Sequence, residues 1–163
     1  MKDFEYAFSG KVYSEEELGD DIRALVQTAK EACKNSYAPY SHFHVGTAVL
    51  LSNGLTVSGS NQENIAYPSG LCAERVALFA ATSTYPGIPV EKIALAAMTK
   101  RKYTCQPVSP CGACRQVLSE ISKRYGNKIQ VILYGTDSVY VIDDARQLLP
   151  IAFDAEIHPD SHV

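Results

Sequence analysis

The chain has 163 residues, 46% of them hydrophobic, with 18 acidic against 15 basic side chains and a formal net charge of -3. That is the length of one domain with ample apolar content for a single core. The slightly acidic balance argues against a nonspecific electrostatic grip on a nucleic acid polymer, which needs clustered Lys and Arg.

In chain order, residues 1–13 read as an N-terminal extension. Ser14-Glu15-Glu16-Glu17 is a capping box, and Leu18, Ile22, Leu25, Val26, Ala29 and Cys33 follow at helical spacing, which predicts one amphipathic helix ending near Asn35. Phe43 to Leu51 and Leu55 to Gly59 are rich in β-formers and joined through Asn53-Gly54, a hairpin turn. A helix opening at Cys72, a strand from Ile93 to Met98, a helix opening at Cys111 and a strand from Ile129 to Leu133 then alternate, implying crossovers and parallel pairing. The basic run Lys100-Arg101-Lys102 reads as a solvated loop, and Val139 to Ile142 as a further strand. Asp143-Asp144 can cap a short helix that Pro150 stops, and residues 154–163 read as a polar tail. The expected fold is α/β, a three-layer α/β/α sandwich around a mixed sheet, spanning residues 14–153.

No apolar run has the length of a membrane span, and Met1-Lys2-Asp3-Phe4-Glu5 lacks the apolar segment of a signal peptide, so no membrane partner is expected. Five cysteines, an odd number, suit a reducing cytoplasmic setting better than a disulfide framework.

Three of those cysteines carry the chemistry. Cys72-Ala73-Glu74 and Pro110-Cys111-Gly112-Ala113-Cys114 offer three thiolates and one carboxylate. Zn²⁺ prefers four tetrahedral ligands, and three from the protein leave the fourth position for a water whose pKa the metal lowers. Cys111 and Cys114, three apart at a helix start, share one face. Cys72 opens a second helix, so two positive helix ends converge and favour thiolates. A lone C-x-x-C would fit redox or structural zinc sites equally well, but the third cysteine beside a carboxylate points to catalytic zinc, one per chain. Glu74 is the expected proton carrier, its bland alternative being a first-turn carboxylate that interacts with the helix dipole. Cys33 reads as core, Cys105 as a loop thiol, and the four histidines as loop or tail residues, with His44 in a possible strand. The site is expected beyond the C-terminal ends of the strands.

Ser36-Tyr37-Ala38-Pro39-Tyr40-Ser41-His42-Phe43-His44-Val45-Gly46, Gly59-Ser60-Asn61-Gln62-Glu63-Asn64, Gly70-Leu71-Cys72-Ala73-Glu74-Arg75 and Ser109-Pro110-Cys111-Gly112-Ala113-Cys114-Arg115-Gln116-Val117-Leu118 resemble the successive motifs of the small, homotetrameric cytidine deaminases with three zinc-binding cysteines. Leu148 to Phe153 resembles their C-terminal motif, and the likeness runs from Glu15 to Phe153. Ser60, Gln62 and Thr47 depart from the family's common Cys, Val and Ala.

The resemblance implies zinc-dependent hydrolysis of cytidine and 2′-deoxycytidine to the uridines and ammonia, in pyrimidine salvage. It implies Zn²⁺ on Cys72, Cys111 and Cys114, with Glu74 moving protons and Arg75 drawing charge from the thiolates. It places Asn61 and Glu63 on the ribose 3′-hydroxyl, Phe43 against the pyrimidine, the Ala73 N–H and Glu74 at the base edge, and Tyr67 as a wall. Phe153 would reach a neighbouring subunit's site in a homotetramer, although an aromatic there also suits satellite core. Arg115 is left open between assisting the thiolates and packing.

Three other readings share parts of this pattern: a blasticidin-type aminonucleoside deaminase, a polynucleotide-editing deaminase and a noncatalytic zinc-stabilised binding module. The Asn61-Gln62-Glu63-Asn64 block favours a ribose-binding site over the first, the acidic balance and the lack of an aromatic-basic stripe disfavour the second, and Glu74 beside three ligands disfavours the third.

Overall fold

A computed structural model of the chain describes residues 1–154. The strands are β1 (Lys11–Tyr13), β2 (Phe43–Leu51), β3 (Thr56–Ser60), β4 (Val90–Thr99), β5 (Lys102–Tyr103), β6 (Gln130–Tyr134) and β7 (Val139–Ile142). The helices are α1 (Asp20–Ala32), α2 (Ala73–Thr84) and α3 (Gly112–Tyr125). One sheet has the order β1-β7-β6-β4-β2-β3, with β5 beside the end of β4.

Ile93 to Ala97 of the central strand β4 are all buried, a continuous small-and-apolar run because helices cover both faces. Ile93 and Leu95 join Val49, Leu51, Leu78 and Leu118 in a core under α2 and α3. Ala94 and Ala96 join Val26, Ala29 and Cys33 in a second core under α1. These are the three expected layers, α1 on one face and α2 with α3 on the other.

Two glycines set how closely the helices lie on the sheet. A Cβ on Gly46 of β2 would sit 2.1 Å from the Ala29 carbonyl oxygen of α1, and one on Gly59 of β3 would sit 2.6 Å from the Ala77 nitrogen of α2. Both backbones touch where a side chain would stand.

The structure departs from the sequence-based expectation in several places. The capping box closes a separate 3-10 turn, Glu15–Glu17, and α1 starts only at Asp20, because Leu18 and Gly19 are extended. Among the described strands only β4 and β6 pair in parallel; β3 and β4 run the same way with β2 between them, paired antiparallel to both. The hairpin therefore displaces the first crossover by one strand. Lys100 and Arg101 are the two positive-φ residues of a tight hairpin turn into β5, where Thr99 faces Lys102, rather than an open loop. Finally, the last three residues of the N-terminal extension form β1, an edge strand on β7.

Lys30 ties the 3-10 turn to the sheet. Its Nζ donates to Glu15 Oε1 at 3.0 Å and to the Tyr134 hydroxyl at 3.2 Å, lying 4.5 Å from the Tyr134 ring centre. The predicted short helix after β7 is a 3-10 turn, Ala145–Leu148, capped by Asp144. The tail histidines His158 and His162 lie outside the described residues.

Candidate active site

The ligand cysteines sit where two chain segments leave the sheet and turn into helices. β3 leads through the segment from Asn61 to Leu71 to Cys72, the N-cap of α2, and β4 leads through β5 to Cys111, the N-cap of α3. Cys114 lies in the first turn of α3 and is buried, Cys72 is half-buried and Cys111 is exposed.

Cys72 Sγ stands 3.7 Å from Cys111 Sγ, Cys111 Sγ stands 3.5 Å from Cys114 Sγ, and all three lie within 4.8 Å of one another. Tetrahedral zinc with bonds of about 2.3 Å holds its sulfurs about 3.8 Å apart, a spacing that the Cys72–Cys111 and Cys111–Cys114 separations match. No other group of three His, Cys, Asp or Glu among the described residues has ligand atoms this close.

The local electrostatics follow from crowding. The hydrogen bond from Cys114, with Arg75 and Cys111 adding to it against the cost of burial, pushes the Cys72 thiol down to about 5. Cys114 moves the opposite way, its proton held by Cys72 and by burial. Glu74 is 4% exposed; burial first, then the negative Cys72, lifts its carboxyl above the ordinary range. Arg75 Nη2 is 3.7 Å from Cys72 Sγ, while its Nε is buried without a protein partner. Arg115 is spent elsewhere: Nε donates to the Pro110 carbonyl at 2.8 Å and Nη1 to the Leu148 carbonyl at 3.2 Å. Both bonds go to backbone carbonyls, which favours a packing role.

A cavity of about 290 Å³ opens on this cluster, lined by Phe43, Asn61, Glu63, Cys72, Ala73, Glu74 and Cys111 together with Val45, Leu95 and Ser109. Asn61, Glu63 and Cys72 also line a wider outer cleft of about 580 Å³ with Tyr40, Tyr67 and Arg75. Tyr67 is three-quarters exposed and meets Tyr40 edge to face at 5.9 Å.

Asn61 and Glu63 face the same side of their extended segment, as residues two apart should. Both also hold backbone in place. Asn61 Oδ1 accepts from the Val45 N–H at 2.8 Å, and its Nδ2 donates to the Phe43 carbonyl at 2.9 Å. Glu63 accepts from the Tyr40 N–H at 2.9 Å and the Ser41 hydroxyl at 2.5 Å, and the Ser41 bond leads the causes that lower its pKa.

Phe153 lines neither part of this cleft. Its backbone exchanges two hydrogen bonds with the Gln116 side chain, at 3.1 and 2.8 Å, and the residue is 82% exposed, so it is not satellite core. The sequence reading missed Ser41, Val108 and Ser109. Ser41 and Ser109 both stand in the motif blocks above without a role there; the bond from Ser41 to Glu63 needs the loop's fold to be seen.

The family model described as cytidine and deoxycytidylate deaminase zinc-binding region matches residues 20–126. A cytidine deaminase of Halalkalibacterium halodurans is 40% identical over 136 residues, which cover 83% of this chain and 96% of that protein. One from Sporosarcina psychrophila is also 40% identical, over 83% of this chain and 93% of that protein. The crystal structure of cytidine deaminase from Burkholderia pseudomallei superposes with a TM-score of 0.69 at 40% identity, over 80% of this chain and 97% of that one. Three sulfurs at zinc spacing, a buried carboxyl beside them and these likenesses converge: the chain belongs to the cytidine and deoxycytidylate deaminase zinc-binding family.

Proposed function

We propose that this protein deaminates cytidine and 2′-deoxycytidine hydrolytically, consuming one water and releasing ammonia from each base. The observation that carries the reading is the sulfur triad at tetrahedral spacing with Glu74 in the wall of the same cavity. Zn²⁺ held by Cys72, Cys111 and Cys114 supplies Lewis acidity and an activated water to such a site.

The remaining work falls to the chain's own groups. Glu74, buried and raised in pKa, carries protons between the attacking water, the ring nitrogen beside C4 and the departing amine. Arg75 withdraws charge from the Cys72 thiolate, which offsets the weaker Lewis acidity of a metal surrounded by three thiolates. Phe43 packs on the pyrimidine, the Ala73 N–H at the start of α2 and the Glu74 carboxyl read its edge, and Tyr67 walls the outer cleft. Asn61 and Glu63, already fixed by backbone bonds, present their remaining hydrogen-bonding capacity to the ribose 3′-hydroxyl. Enclosure at that hydroxyl selects free nucleosides over polynucleotides.

The exposed Phe153 and the open outer cleft fit a homotetramer in which neighbouring subunits complete each site. No helix among the described residues is long and apolar enough to cross a membrane, and five free thiols suit a reducing cytoplasm.

The test is conversion of cytidine to uridine by ultraviolet absorbance on purified protein of measured zinc content, with sedimentation at micromolar concentration. Zinc near one per subunit, turnover and a tetramer are expected. A metal-loaded protein without turnover overturns the enzymatic reading, and an active monomer overturns the shared site.

A further inference from the structure

The N-terminal segment alternates strictly. Phe4, Tyr6 and Phe8 occupy even positions, and Asp3, Glu5, Ala7 and Ser9 occupy odd ones. This is the period of a strand with one aromatic face. That face has no cover: Phe4 is 77%, Tyr6 58% and Phe8 61% exposed, although the Phe4 and Tyr6 rings touch edge to face at 5.5 Å. The pattern runs directly into β1, where Val12, 67% exposed, stands opposite the exposed Tyr140 of β7. Among the described residues β1 pairs only with β7, which leaves its outer edge without a described strand. Free edges and uncovered aromatic faces invite strand addition.

The sequence states what fits there. If residues 4–12 lie antiparallel against the same residues of a second copy with Phe8 on the two-fold axis, Phe4 faces Val12, Glu5 faces Lys11, Tyr6 faces Gly10 and Ala7 faces Ser9. Apolar meets apolar, an aromatic covers each glycine, and carboxylate meets ammonium twice by symmetry. Hydrogen-bond parity agrees. Residues 4–10 form no strand in the single chain, but the Ser9 N–H donates inward to Gln147 Oε1 at 2.9 Å, so once they extend β1 the even-numbered N–H groups point outward. Those are the groups that must bond in this register.

We propose that residues 4–12 form an arm that pairs with the arm of a second copy, joining two molecules edge to edge through β1. The H. halodurans match uses 83% of this chain but 96% of that protein, and the family model begins at residue 20. The arm therefore lies outside the family model. The inference also stands independently of the reaction assigned to the cleft.

Odd-numbered pairs in this register are the non-hydrogen-bonded kind, with Cα atoms about 4.5 Å apart, within disulfide reach. The experiment uses zinc-loaded full-length protein in a Cys105→Ser background, mixing Ala7→Cys and Ser9→Cys variants under mild oxidation. Covalent dimers on a non-reducing gel should form mainly in the mixture, at least about fivefold faster than in either variant alone. Adding Glu5→Lys to both variants should slow that linkage several-fold, Lys11→Glu should do the same, and the two together should restore it. No preference for the mixture, or no rescue by the double exchange, overturns the proposal.

Discussion

Cys33 and Cys72 lie on opposite sides of the same sheet and show what surroundings do to one functional group. Cys33, at the end of α1, donates to the Ala96 carbonyl at 3.2 Å inside an apolar core, and burial pushes its thiol up to about 11. Cys72, at the start of α2, sits among two other sulfurs and Arg75 and falls to about 5. One thiol is a packing atom that keeps its proton, and the other gives its proton up readily. Burial raises both thiols, more fully at Cys33; what brings Cys72 down is the hydrogen-bond donors and positive charge aimed at its sulfur.

Removing a sulfur from the anionic side should have the largest effect. Cys111→Ala should drop bound zinc far below one per subunit and cut turnover by roughly 10³-fold or more, read by metal analysis and cytidine absorbance. Full activity without metal would end the contrast. Glu74→Gln should keep its zinc and lose roughly 10²-fold to 10⁴-fold in kcat, since shape survives and the proton carrier does not. Near-normal turnover would mean that another group moves the proton.

Glu63→Ala should lower kcat/KM for cytidine by about tenfold or more with zinc unchanged, and should erase much of the preference for cytidine over 3′-deoxycytidine. An unchanged preference would remove Glu63 from the sugar.

The smallest effect belongs to the neutral thiol. Cys33→Ala should leave zinc and turnover alone while lowering stability by roughly 1 kcal/mol in urea unfolding, a small core truncation. The sign of its pKa shift gives a sharper check. A folded value raised to about 11 keeps Cys33 protonated at pH 8, so iodoacetamide should modify exposed Cys105 promptly and Cys33 only on unfolding. Equal rates would show that the burial is not real.

How much of this could be read in advance follows the range of the interactions. The helix starts at Cys72 and Cys111 and the turn at Asn53-Gly54 were legible because each is local chemistry. β1 and β5 are only three and two residues long, too short to be marked by their own residues: β1 depends on β7, far along the chain, and β5 on a two-residue turn back onto β4. The break at Leu18 and Gly19 was hidden by an apolar spacing that continues across it, since Leu18 still reaches the α1 core. Of the site, the metal donors and Glu74 were legible from spacing. That Asn61 and Glu63 also brace the backbone at residues 40–45 depends on a loop fold that no spacing encodes.

Gly59 carries none of the chemistry, yet α2 rests on it at a distance no methyl group would permit. Any side chain there must lift the helix that begins with Cys72, Ala73 and Glu74, shifting one sulfur relative to the two on α3. A genetic screen for inactive variants should therefore recover Gly59 changes among the metal-ligand hits, as lesions whose cause is an added atom rather than a lost one.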